Sequence, residues 1–416
     1  MDNTFKHFYR KSYAERLSVV GKYAELDEDN QALIKSHANS TSSHLIENYL
    51  TDYSIPEGVG VNLIINGNEH EIPMVTEEPS VIAAVSNGAR MLRTNGIEAT
   101  VLNRELIGQV VLHKPTSELL DWIDDHRANL IALADSAHPS IQNYGGGATD
   151  LEIRKLDHDN YSIDLSVNVS EAMGANIINS MLEAVGASIN QQMPGVVLMQ
   201  ILSNYATKSL VKVVGKIDFD QLGAPGMTGS EVAARIGLAS HIAQVDPYRA
   251  TTHNKGIMNG IDAVTIAMGN DWRAIESGVH AYAARDGQYR GLSKWEVIDN
   301  QLVGSMTIPL PVGFVGGATK VFPLVKINQR IAKVKNARGL MQLIAATGLA
   351  QNLAALKAIV TDGIQKGHMA LQIKSLAMSA GATPEELPEV LHQLRTMEHP
   401  SEDAAKQIIN QIRNTK

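Results

Sequence analysis

Four short stretches of this 416-residue chain gather residue types that handle acyl and carbonyl groups. TEEPS (76–80) sets two carboxylates, Glu77 and Glu78, and the hydroxyl of Ser80 where a strand hands over to a helix. DPYRATTHNKGIMNG (246–260) carries Arg249, Lys255 and Asn259 in what reads as a capped polar turn punctuated by Gly256 and Gly260. GNDWRA (269–274) places Asp271 at the start of a helix, and GIQKGHMALQ (363–372) places His368 after Gly367, at a helix start or hinge. Each has an ordinary structural explanation by itself, since Glu suits a helix N-terminus and Asp caps one. Taken together they are an inventory for carbonyl chemistry. A cation stabilises a developing oxyanion, while carboxylate and imidazole move protons.

Other chemistries find little support. The chain has no cysteine, which removes disulfides, thiolate metal sites and cysteine nucleophiles together. No H-E-x-x-H pair occurs among the 14 histidines, and no G-x-S-x-G is present, so neither a metal site nor a standard serine hydrolase is expected. No G-x-G-x-x-G follows a strand; in GFVGGATK, Lys320 does not directly follow a glycine, so the phosphate-loop pattern fails and a tight turn is expected. The net charge of −8, without a long basic run, argues against nucleic acid as a partner. The polar N-terminus lacks an apolar leader segment, and no run approaches 18 consecutive apolar residues, so a soluble, cytoplasmic protein with no membrane partner is expected.

The elements that must position these residues are partly legible. Residues 1–50 read as amphipathic helix. Two extended runs within 59–75 are joined by Asn66-Gly67, a hairpin turn pair. Pro79 and Gly96 bracket a helix. Residues 99–113 and 150–169 are β-rich and flank a helix near 115–136, with YGGGATD as a link; a helix starts near Ser170, and GVVLMQILSNYA reads as a buried strand. Long helices are expected at 228–243, 256–268 and 271–284. TIPLPVGFVGGATK forms a strand and turn, and helices follow at 338–349, 350–363 and 367–380. Thr383, Pro384 and Glu386 form a capping-box signature opening a separable tail. The implied class is α+β: a helix-rich chain with a compact α+β module inserted at roughly 105–210.

The four stretches, with IPMVTEEPSVIAA, PVGFVGGATK and GLAQNL…GIQKGHMAL around them, also carry a resemblance. In order and over nearly the whole chain, the sequence resembles 3-hydroxy-3-methylglutaryl-coenzyme A (HMG-CoA) reductases of the soluble bacterial class II type. Two places depart: ENYLT (47–51) stands where the family has ENVIG at its dimer interface, and EAMG (171–174) where it has DAMG on the cofactor helix.

The resemblance implies four-electron reduction of the HMG-CoA thioester to mevalonate and free CoA by two NAD(P)H, with bound mevaldyl-CoA and mevaldehyde between the transfers. Lys255 would polarise the carbonyl, Asp271 would link it to the proton donor Glu78, and His368 would protonate the departing thiolate. Ser80, Arg249 and Asn259 would hold the HMG carboxylate, and Arg10 would meet CoA. His138, Glu171, Met173, Gly174, Asn176 and Asn204 would contact the dinucleotide in a non-Rossmann domain. NAD-using relatives carry an acid upstream of the glycine triplet, where counting back from Gly145 finds His138; this favours NADPH over NADH, with Asp135 as the alternative acid. No metal is implied.

The implied layout is a large HMG-CoA-binding and dimerisation domain (1–104 and 211–366), a dinucleotide domain (105–210) and a C-terminal flap (367–416). The assembly would be a homodimer or a multiple of dimers, with Glu78 facing Lys255 across the interface. Rival readings are a non-redox CoA-thioester lyase or hydrolase, a non-catalytic CoA-binding protein, and the same reductase run toward mevalonate degradation.

Overall fold

The computed structural model describes residues 4–361, 363, 373, 374, 376–397 and 399–415. The chain divides into two compact units, Met1–Pro56 and Glu57–Lys416. In the first, the expected helical segment is three short helices, α1 (Tyr13–Tyr23), α2 (Glu28–Ser36) and α3 (Ser40–Leu45). Ser12 and Glu15 close a capping box at α1, and Asp27 caps α2.

The second unit opens with the hairpin β1 (Glu57–Ile65) and β2 (Asn68–Val75), turned by Asn66 and Gly67 at φ 49° and 79°. Helix α4 (Ser80–Leu92) and strand β3 (Ile97–Val101) follow. The chain then leaves for a second sheet: β4 (Glu105–His113), α5 (Ser117–Asp125), α6 (Arg127–Ala137), β5 (Gly147–Lys155), β6 (Asn160–Asn168), α7 (Ala175–Gln192) and β7 (Val197–Leu202). It returns as β8 (Leu210–Asp218), which pairs antiparallel with β3, so residues 105–202 are inserted between two neighbouring strands. Helices α8 (Gly229–Val245), α9 (Pro247–Ala267) and α10 (Trp272–Ala283), strands β9 (Ser293–Ile298) and β10 (Gln301–Pro309), and helices α11 (Pro323–Ile331) and α12 (Ala337–Val360) complete the larger body.

The large sheet has the order β2-β1-β3-β8-β10-β9, the small one β5-β6-β4-β7. Each has its own apolar core. In the small sheet Leu106, Val110 and Leu112 alternate onto Ile178, Leu182 and Val185 of α7. In the large body α12 is buried all round, as expected of a helix apolar on every face. It is long and apolar enough to cross a membrane, but most of it lies inside this core. Small residues let its neighbours close in. A methyl group at Gly88 of α4 would sit 1.9 Å from the Ala350 carbonyl oxygen, and one at Gly260 of α9 would meet Gln351 Cβ at 3.2 Å. Both helices that carry the candidate chemistry are thus seated on α12.

Several expectations need correction. The polar stretch 246–255 is helix, not turn: Asp246 accepts the N–H groups of Tyr248 and Arg249, and Pro247 occupies the first helical position. The stretch expected as two helices, 338–349 and 350–363, instead holds one helix, Ala337–Val360, because Gly348 is held inside it against Ile261. Helix α7 starts at Ala175 instead of near Ser170, since Gly174 before it has φ 100°. Strand β7 is an edge strand rather than a buried one, with Leu198, Met199 and Ile201 exposed. Only half of the capping box at Thr383 forms. Its N–H donates to Glu386 at 2.9 Å, yet regular helix begins at Leu387. Helices Leu387–Arg395 and Glu402–Thr415 share a small apolar cluster with Ile373 and Ala377.

Candidate active site

Glu78 lies in the three-residue step between β2 and the Pro79 cap of α4, and its neighbour Glu77 is exposed. The Glu78 carboxylate accepts a 2.6 Å hydrogen bond from Ser80 Oγ through one oxygen and a 3.2 Å bond from Lys255 Nζ through the other. Lys255 projects from α9, whose period puts Arg249, Thr252, His253, Gly256 and Asn259 along one wall. Together with Ser80, Gln351 and Asn352 they line a cavity of about 450 Å³. Burial holds the Arg249 guanidinium below its usual value, and among the described residues no carboxylate pairs with it. Among the described residues, Arg249 and Lys255 face the single carboxylate of Glu78 on this cavity, which suits it to an anionic ligand with a polarisable carbonyl.

A second cavity, of about 940 Å³, is lined by residues 172–177, by Asp271 and Arg273 at the start of α10, and by the glycine turn Gly316-Gly317. Helix α7 opens here without a side-chain cap. Its first amides are therefore available to phosphate oxygens. The preceding turn is braced from outside. Buried Arg104 donates to the carbonyls of Ser170 and Ala172, and Phe314 N–H donates to the Glu171 carbonyl. Burial lowers Arg104 to about 10, which leaves it charged.

The family model for hydroxymethylglutaryl-coenzyme A reductase matches residues 12–373. The chain belongs to the hydroxymethylglutaryl-coenzyme A reductase family. It is 40% identical to the 3-hydroxy-3-methylglutaryl-coenzyme A reductase of Archaeoglobus fulgidus over 424 aligned positions, covering 100% of this chain and 96% of that protein. Among solved structures, the reductase of Streptococcus pneumoniae superposes with a TM-score of 0.76 at 42% identity, covering 99% of this chain and 100% of that one. A class II structure from the same organism, bound to NADPH in open conformations, gives 0.75 at 43% identity over 97% of this chain and 100% of that one. The α+β class and the reductase family thus stand together.

Within this family frame the structure gathers Glu78, Ser80, Arg249, Lys255 and Asn259 at the first cavity, and Met173, Gly174, Asn176 and Asp271 at the second. One expectation is overturned. Glu78 and Lys255 meet inside one chain instead of across an interface. Asp271 of the same chain stands apart from them: α9 runs on from Lys255 to Ala267, a rise of about 18 Å. Asp271 instead caps α10 and holds Arg273 at 3.2 Å.

The remaining expected contacts are dispersed. Glu171 receives the Ala337 N–H at 2.6 Å, so its carboxylate caps α12 rather than facing the cavity. His138 ends α6 and meets Ser140 Oγ, Asp135 accepts the Ala148 N–H at 2.7 Å, and Asn204 is exposed beside Gly278 of α10. Arg10 belongs to the first unit, where it lies over the Tyr9 ring. His368 lies outside the described residues. Sequence reasoning missed His253 and Gln351 on the Lys255 wall. His253 was findable, because it stands one helical turn after Arg249 once Asp246-Pro247 is read as a helix start.

Proposed function

We propose that this chain reduces the thioester of HMG-CoA to the alcohol of mevalonate, with NADPH as hydride donor. The observation carrying this reading is the Lys255–Glu78 pair at 3.2 Å beside Arg249, with which no carboxylate pairs among the described residues. Arg249 and Asn259 hold the terminal carboxylate of the acyl group, which places the thioester carbonyl at Lys255. Its ammonium polarises the carbonyl and stabilises the oxyanion, worth about 3–4 kcal/mol for one placed donor. Glu78, steadied by Ser80, delivers a proton to the same oxygen, and His368 protonates the departing thiolate. Two NADPH, bound in turn, would supply the two hydrides that reduction of a thioester to an alcohol requires. Residues 105–210 hold the dinucleotide, with the Gly174 turn letting its phosphates reach the α7 amides.

The 2′-phosphate of NADPH meets no competing acid in this reading, because Asp135 is engaged by the Ala148 N–H. A higher kcat/KM with NADH than with NADPH would contradict it. The assembly is a homodimer in which Asp271 of a second copy approaches Lys255, since one chain holds the two in separate cavities. Residues 367–416 close over the bound acyl group as a flap. The first test is nicotinamide oxidation with HMG-CoA, beside a Lys255→Ala variant. Oxidation that depends on HMG-CoA and disappears in the variant is expected. No oxidation by the folded protein with either nicotinamide would refute the proposal.

A further inference from the structure

The second cavity is poorly charged for a dinucleotide. Among the described residues its lining carries two carboxylates, Glu57 and Asp271, and one guanidinium, Arg273, which Asp271 already holds at 3.2 Å. The chain as a whole stands at −8. A dinucleotide brings several negative charges of its own, so neither the lining nor the net charge draws it in. One stretch has the opposite sign and no task in the reading above. Residues 320–338 hold six basic side chains, Lys320, Lys326, Arg330, Lys333, Lys335 and Arg338, and no Asp or Glu. All six are exposed, and among the described residues no carboxylate pairs with any of them. Clustered cations without partners raise a positive potential that reaches into solution.

The fold lays this run along the cavity. Thr319, just before Lys320, lines it, and so do Leu324, Val325 and Asn328 of α11. Val325 and Asn328 are buried and seat that helix, while Lys326 and Arg330, one turn apart, share an exposed stripe. At the far end Ala337, next to Arg338, donates its N–H to Glu171, immediately before residues 172–177 of the lining. The cations therefore begin and end beside the cavity without lining it.

We infer that the basic run 320–338 is an electrostatic capture surface for the phosphate-bearing nucleotide that enters the second cavity. This rests on the reductase reading, in which NADPH binds there. Exposed charges of this kind act before contact. They raise the rate of encounter, are screened by salt, and leave the bound complex and its chemistry almost untouched.

The test follows NADPH association and dissociation by stopped-flow nicotinamide fluorescence with the full-length protein. Wild-type association should slow steeply between about 10 mM and 1 M salt, as the Debye length shrinks from about 30 Å to about 3 Å. The triple variant Lys326→Gln/Arg330→Gln/Lys335→Gln should associate about 10-fold more slowly at low salt and depend less on salt. Its dissociation rate, and kcat at saturating NADPH, should match wild type. The control Lys212→Gln/Lys216→Gln/Lys294→Gln changes the net charge equally at exposed positions that line neither cavity, and should associate like wild type. The CoA part of the substrate also carries phosphates, so a second arm measures kcat/KM for HMG-CoA at saturating NADPH. Equal slowing in the control, unchanged NADPH association in the folded triple variant, or a loss confined to kcat/KM for HMG-CoA would overturn the inference. Should the triple variant unfold, wild type still decides, since association indifferent to salt refutes the surface. Wild type that binds no NADPH overturns the reductase reading itself, an outcome distinct from the others.

Discussion

Lys255 is 63% exposed along its side chain, so removing it disturbs little packing. Lys255→Ala should lower kcat by about 10²–10³ while the melting temperature stays put, as steady-state kinetics beside thermal melts would show. Asp262, on the same helix, behaves differently. Burial and the neighbouring Glu276 carboxylate raise it to about 9, while His280, 2.7 Å from Glu276, holds that carboxylate below its usual range. The folded chain therefore keeps a proton on Asp262 that the unfolded chain releases near pH 4. Its contribution is full at low pH and is lost as pH rises toward about 9. Asp262→Asn should flatten the decline of Tm between pH 5 and 9; parallel profiles for wild type and variant would refute the assignment.

At the scale of elements, the chemistry depends on how closely α4 and α9 approach α12. Gly88→Ala places a methyl group 1.9 Å from the Ala350 carbonyl oxygen, so α4 must shift. Denaturant unfolding should report a loss of about 1–3 kcal/mol. Turnover should fall as well, because Glu78 rides at the head of that helix. In the C-terminal helices, Arg413 pairs with Glu386 at 2.8 Å and, with the Thr383 N–H, lowers Glu386 to about 2. That stabilisation is present above the usual glutamate range and is lost as pH falls toward about 2. Amide exchange in 387–415 should accelerate across this acid window. Arg413→Met should show the acceleration already at neutral pH; unchanged protection in the variant would count against the pair.

At the scale of the whole molecule, Lys255 and Asp271 of one chain line separate cavities. A dimer that joins them makes a sharp prediction. Lys255→Ala and Asp271→Ala proteins, each inactive alone, should regain about a quarter of wild-type activity when refolded together, because half the chains form mixed dimers and each has one intact site. A site built within one chain would regain none. Dilution below the dimer dissociation constant should abolish turnover for the same reason.

Local residue types and neighbours made several elements legible: Asn66-Gly67 for the hairpin, and Pro79 and Gly96 for α4; they also single out Glu78, Lys255 and Asp271 as the candidates that the proposed reaction uses. Local signals also misled where packing overrides them. Gly256 and Gly260 read as turn residues, yet both lie inside α9, and Gly260 packs against Gln351 and Thr347 of α12. The apolar run in β7 read as buried, although strand order leaves it at an edge. The pairing of Lys255 with Glu78, 177 positions apart in sequence, has no local signature, because it is created by two helices crossing a third. The buried contact of His253 with Ser293 and Asn352 is likewise invisible in the sequence, because only the folded core brings these distant residues into reach.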